Sequence, residues 1–251
     1  MHNAKLRTVA RYVIPAICSN VCFFLFTIVD AIFVGRGVGT NALGAINLAG
    51  PTILIVGAVN MLISIGGVAI YAVRIGQGDV DGANDVFRHG ILLQLCAAAV
   101  FSLLGTFFAD GICSLLGANE TFHHLAVDYL FWYSIFIIPS GLSIGLQNYC
   151  RNDNAPGLVS MVVIVTTICN IFGDWLLIYP FQMGTKGAAI ATGISQTIGL
   201  LILLTRFARK RGSLRFGRAK LNAGLFRDIV VHGLPEGISQ LSNPVMTLCM
   251  N

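Results

Sequence analysis

The chain has 251 residues, of which 55% are hydrophobic and only 11% charged, with a mean hydropathy of +0.78. Water-soluble domains carry about 25% charged residues, so this composition excludes a soluble fold and marks an integral membrane protein. The net charge of +5 is no sign of nucleic-acid binding, because the basic residues fall in short loops between apolar runs.

Six apolar segments follow one another: about Val9–Val34, Ala45–Ala72, Gly90–Ala109, Ala126–Leu146, Leu158–Phe181 and Ala188–Phe207. A seventh starts near Ile229. Each is long enough to cross a bilayer as a helix. In lipid the backbone must satisfy its own hydrogen bonds, and the alternation of a membrane barrel is absent, so the spans are helices. The expected fold class is an all-α polytopic membrane protein. Its first 208 residues form one six-helix lobe, residues 209–228 a basic cytoplasmic loop, and residues 229–251 the start of the first helix of a second lobe. The stretch HGLPEGISQL echoes RYVIPAICSN near the start, which makes Pro15 and Pro235 matching positions of two parallel repeats. The sequence stops inside its seventh apolar run, so it is read as a fragment of a longer protein.

Fourteen Lys and Arg fall on one side of this topology and two, Arg36 and Lys186, on the other. The basic side faces the cytoplasm, which puts the N-terminus and the long loop after the sixth span inside the cell. That loop could also bind anionic lipid, but the topology rule already accounts for its charge. The seven cysteines are scattered, five of them inside apolar runs, where cysteine behaves as a small hydrophobe. No metal site is expected. Asn119-Glu120-Thr121 is a chance glycosylation motif unless the chain enters a secretory pathway.

Only two carboxylates sit well inside spans, Asp30 in the first and Asp174 in the fifth. A charge at the centre of a membrane helix costs about 2.5–3.5 kcal/mol on insertion scales, a cost that chains accept where the group works. The bland reading of Asp30 is an acid near a helix end that reaches the headgroups. Four apolar residues still follow it before the loop, which argues for function. Asn170 precedes Asp174 by four residues and shares its helix face. The sixth span adds Thr192, Ser195 and Gln196. A carboxylate, an amide and a hydroxyl converging in a bundle suit a proton or a hard cation, which prefers oxygen ligands; the alternative is that Asn170 and Thr192 merely tie helix to helix. Glu236, after Pro235, is read as an exposed first-turn acid or a gate.

These motifs together resemble the multidrug and toxic compound extrusion (MATE) transporters. The resemblance runs the whole length through Pro15 with IVDAIFVGRGVG, ALGAINLAGP, GGVAIYAVRIGQGD, RNDNAP, NIFGDWLLIY and GTKGAAIATGISQ. It implies two six-helix lobes around a central cavity and exchange of sodium ions or protons for organic cations and drugs. Asp30, Asn170, Asp174 and Thr192 then look like the coupling-ion or proton site of the first lobe, and Pro15 like the proline where helix one bends. The departure is that nothing past the second lobe's first helix is present. The resemblance further implies a non-enzyme, a plasma (inner) membrane location, no cofactor beyond the coupling ion, contact with membrane lipids but not nucleic acid, and a monomer. Export of a lipid-linked or polysaccharide precursor is the alternative; it calls for Lys or Arg inside the spans, and none lies there. An intramembrane enzyme would need a metal or nucleophile cluster, and a purely structural subunit would tolerate loss of both acids.

Overall fold

The computed structural model describes residues 2–209, 211–217 and 221–250, with side chains at 2–16, 18, 19, 23, 121 and 243–250 outside the description. The described residues form helices and no strand: α1 His2–Gly37, α2 Thr40–Gly76, α3 Val80–Phe107, α4 Ala109–Leu115, α5 Glu120–Ile135, α6 Ile137–Asn152, α7 Pro156–Ile178, α8 Gly184–Ala208 and α9 Ala223–Met250, joined by turns and loops. Among the described residues five helices (α1, α2, α3, α7 and α8) are long and apolar enough to cross a membrane, and the bent pair α5–α6 makes a sixth where it is counted as one span. The chain is therefore an integral, multi-pass membrane protein, all-α in class.

Local chemistry explains the boundaries. Gly39, at φ 111, makes the tight corner between α1 and α2, a left-handed conformation that favours glycine. Asp79 caps α3 by accepting from the Gly82 N–H at 2.9 Å, and Asn119 caps α5 by accepting from the Phe122 N–H at 3.2 Å. Pro156 opens α7, where its missing N–H costs nothing.

Three expectations need correction. The fourth span was expected as one helix, Ala126–Leu146, but it breaks at Phe136 and turns through 55°. Pro139 lies just beyond the break; it has no N–H to give the Ile135 carbonyl, and in an unbroken helix its ring would clash with that carbonyl. The Phe136 ring fills the space a side chain at Gly193 of α8 would need. The basic loop was expected to extend to Asp228, but helix α9 already begins at Ala223. Glu236 is therefore not in a first turn; it lies partly buried along α9 and accepts from Gln240 Nε2 at 2.8 Å. The Pro15 bend falls on a side chain outside the described residues.

The bundle is built by packing α1 on α7, α7 on α8, α8 on α5 and α6, and α2 on α3, α5, α6 and α9. Its largest apolar core lies at the end where the basic linker leaves, around Ile63, Tyr71, Phe87, Tyr149, Leu203 and Ile229. A smaller one closes the far end, where Val34, Ala42, Ile178 and Ala188 meet.

Candidate ion-binding site

The far-end core matters because the two intramembrane acids sit one turn below it. Asp30 precedes Val34 on α1, and Asp174 precedes Ile178 on α7, four residues in each case. Packing of α1 against α7 brings the two carboxyls side by side, within hydrogen-bonding reach of each other. Asp174 is fully buried and Asp30 partly so. The sequence placed these residues at mid-span. At 1.5 Å per residue Asp30 lies about 10 Å from the end of α1 and Asp174 about 6 Å from the end of α7, so the site is in the half of the lobe away from the linker.

Asn170 and Thr192 complete it. Asn170, on the α7 face of Asp174, is buried. Its amide is assigned with nitrogen toward the acid, the orientation that satisfies both ends. Nδ2 then donates to Asp174 Oδ2 at 3.0 Å, while Oδ1 accepts from the Thr192 N–H at 3.2 Å and the Thr192 hydroxyl at 3.1 Å. One oxygen of each acid, Asp30 Oδ1 and Asp174 Oδ1, is buried with no protein donor. A buried carboxylate oxygen without a donor is costly. Two adjacent ones are relieved together by a shared proton or by a cation placed between them. The donor set is all oxygen plus one amide, which fits a proton or a hard alkali cation and not a soft transition metal. Among the described residues no cluster of three or more His, Cys, Asp or Glu is arranged for a metal.

Other polar and small residues of the spans serve elsewhere. Thr166 donates to the Val163 carbonyl and Ser195 to the Thr192 carbonyl, each within its own helix. Asn148 donates to Ser64 at 2.7 Å, joining α6 to α2. Gly141 gives room to Asn60, whose Oδ1 accepts from Gln94 Nε2 at 2.5 Å, with Gln94 also donating to the Gly141 carbonyl at 3.2 Å and lying against Gly145. This polar seam between α2, α3 and α6 had not been expected.

Sequence reasoning also missed Tyr129 on α5. Its ring stacks on Tyr133 with centroids 6.2 Å apart, and its hydroxyl lies within electrostatic range of Asp30 and Asp174. The signal available was the i, i+4 pair of tyrosines, which puts two hydroxyls on one helix face.

The MatE family model matches residues 15–176. The FAD transporter of Shewanella oneidensis is 28% identical over 242 residues, covering 92% of this chain and 52% of that protein. The multidrug export protein MepA of Staphylococcus haemolyticus is 24% identical over 251 residues, covering 98% and 55%. Among solved structures, a MATE transporter in complex with MaD3S superposes with a TM-score of 0.89 at 23% identity, over 96% of this chain and 55% of that one. A MOP superfamily transporter from Pyrococcus furiosus gives 0.87 at 23% identity, over 96% and 54%. At these identities the structural likeness speaks for the fold alone. The chain spans about half the length of the curated relatives it matches.

Proposed function

This chain belongs to the MatE family, and from that membership we propose that it works as the first lobe of a cation-coupled antiporter that exports organic cations, drugs or other xenobiotics by alternating access. The observation that carries the coupling is the pair Asp30–Asp174, two carboxyls from two helices with one donorless buried oxygen each. Empty, the ionised pair repels itself in an apolar shell; filled by protons or a sodium ion, it loses that repulsion and draws α1 onto α7. An ion that binds better to one arrangement of α1 shifts its population by that difference in affinity and no more. Asn170 orients Asp174 by donating to it, and Thr192 holds Asn170. Neither chemistry nor a nucleophile enters; the protein's task is binding and release.

The name MepA of one relative supports drug export. The lobe sits in the plasma (inner) membrane as a monomer, with its N-terminus and the linker after α8 in the cytoplasm, on the distribution of Lys and Arg. A second cargo is favoured by one observation, the 28% identity to a protein named for FAD transport: a flavin dinucleotide, which is anionic. The absence of unpaired Lys or Arg from the middle of the described spans weighs for the cationic cargo.

The test is made in the transporter that contains this lobe. Asp30→Asn and Asp174→Asn should each abolish ion-driven efflux of a fluorescent cation while membrane insertion stays normal, and Asn170→Ala should weaken it less. Efflux that survives both acid substitutions rules out the site. Parallel loading of vesicles with FAD decides the cargo, since only the flavin reading expects its export to be saturable and dependent on Asp30.

A further inference from the structure

The segment after α8 looks like a tether in sequence, basic and polar and without periodicity. Its backbone is instead held by buried side chains of the lobe. The Ser213 N–H donates to both carboxylate oxygens of Asp153, at 2.9 and 3.1 Å. The Ser213 carbonyl accepts from Asn84 Nδ2 at 3.0 Å, and the Arg215 N–H donates back to Asn84 Oδ1 at 2.6 Å. Further on, the Asn222 N–H donates to His89 Nε2 at 3.2 Å, with His89 Nδ1 turned to the Asp85 carbonyl at 2.8 Å. Asn84, His89 and Asp153 are all buried. Asp153 is itself fixed by Arg206 of α8 at 2.5 Å and by the Tyr71 hydroxyl at 3.2 Å.

The side chains between these points add packing. Leu214 is buried in the linker-end core, and the Phe216 ring lies against Phe207 and Phe87, centroids 4.4 and 5.3 Å away. Gly212 makes the approach possible. Its φ is +84, and a Cβ there would collide with the Asp153 carboxylate and the Arg206 guanidinium. The clamp thus takes its grip from α3, the end of α6 and α8, and its hydrogen bonds read main-chain atoms, so beyond Gly212, Leu214 and Phe216 it constrains the conformation of the linker more than its composition.

We propose that linker residues 211–217 and 221–222 are a fixed strap of the first lobe, and that α9 swings about the junction of Asn222 and Ala223 when the lobes rock. The strap stands on the hydrogen bonds alone; the swing rests on the transporter reading above. Asn222 is the last clamped residue, and it also starts α9, its carbonyl accepting from the Leu225 N–H at 3.1 Å and its side chain from the Gly224 N–H at 3.0 Å. A pivot there lets α9 leave α2, and Phe226 leave the His89 ring, while the hydrogen bonds to the strap survive.

Hydrogen exchange of the whole chain in a lipid nanodisc tests the strap without any variant. The Ser213, Arg215 and Asn222 amides should exchange at least about tenfold slower than the same amides in an unstructured peptide, since buried hydrogen bonds exchange only on local opening. Asn84→Ala should return Arg215 toward the unstructured rate and leave Ser213, whose amide Asp153 holds, and Asn222 protected, whereas His89→Phe should release Asn222 alone. Unstructured rates at Ser213 and Arg215 in the unsubstituted chain, or no response to Asn84→Ala, overturn the strap. The swing is read by spin-label distances from Leu103 on α3, in the transporter that contains this lobe. The distance to position 216 should hold one value with and without sodium or a pH step, while that to position 231 changes. Movement at 216 in step with 231 puts the pivot before the strap and overturns the proposal, and a fixed 231 in a transporter that still exports overturns the swing while leaving the transport reading intact.

Discussion

The crossing of α2 and α9 offers a quantitative test of how tightly the linker end is closed. Gly66 faces Gly233 there with no side chain between. A Cβ on Gly66 would lie 2.7 Å from Gly233 N and 3.0 Å from Gly233 Cα, and closer still to the Ile229 carbonyl oxygen. All three are backbone atoms, so no rotamer change relieves them. Carbon contacts are comfortable from about 3.5 Å, so Gly66→Ala must part the helices by roughly 0.8 Å or more. A gap of about 0.5–1 Å forfeits a quarter to a half of each dispersion contact it opens, here those of Ile63, Leu225 and Ile229, all buried. Overpacking of this kind costs about 1–3 kcal/mol, which displaces a closed–open equilibrium roughly 5- to 150-fold. The assay is a disulfide between Leu62→Cys and Gly237→Cys. A Cβ on Gly237 falls 3.2 Å from the Leu62 Cβ, within a few tenths of an ångström of the usual disulfide range of about 3.5–4.5 Å. The pair should cross-link readily in the unsubstituted background and much less with Gly66→Ala. Gly57→Ala, on the same helix with nothing within 4 Å, is the control and should cross-link normally. Equal yields and equal melting temperatures for Gly66→Ala and Gly57→Ala would refute the reasoning.

Arg206→Ala should destabilise the chain by about 3–5 kcal/mol, because it strands the Asp153 carboxylate, whose side chain is 4% exposed; an unchanged melting temperature would show that the pair carries no stability. Thr192→Val, which removes one hydroxyl from Asn170, should cost about 1 kcal/mol and weaken apparent coupling-ion affinity several-fold in efflux assays, less than Asn170→Ala; loss as complete as that of Asp174→Asn would mean that Thr192 touches the ion directly. A cysteine at Leu221, 75% exposed, should be labelled by an impermeant thiol reagent only in inside-out vesicles, and labelling from outside intact cells reverses the orientation. Residues 1–251 expressed without a homologue should export no fluorescent cation, since alternating access needs one lobe to rock against another; measurable efflux refutes the division of labour.

Sequence by itself determined the membrane and the all-α class, and it singled out polar residues that the fold brings together. Those are local properties: an apolar run either spans or does not, and a carboxylate inside one is expensive enough to be noticed alone. That is why Asp30, Asn170, Asp174 and Thr192 could be singled out, and why the family could be recognised from motifs in order. The bend at Phe136 was partly legible in Pro139, yet a proline inside an apolar run does not say whether a helix kinks or ends. Only the packing of Phe136 into the space over Gly193 decided that. The meeting of Asp30 with Asp174 depends on α1 lying against α7, a contact between residues far apart in the chain that no periodicity encodes. Tyr129 joined them for the same reason. The strap was the least legible part, because its grip is on backbone N–H and carbonyl groups, which every residue carries, and the buried side chains that hold it come from three other helices.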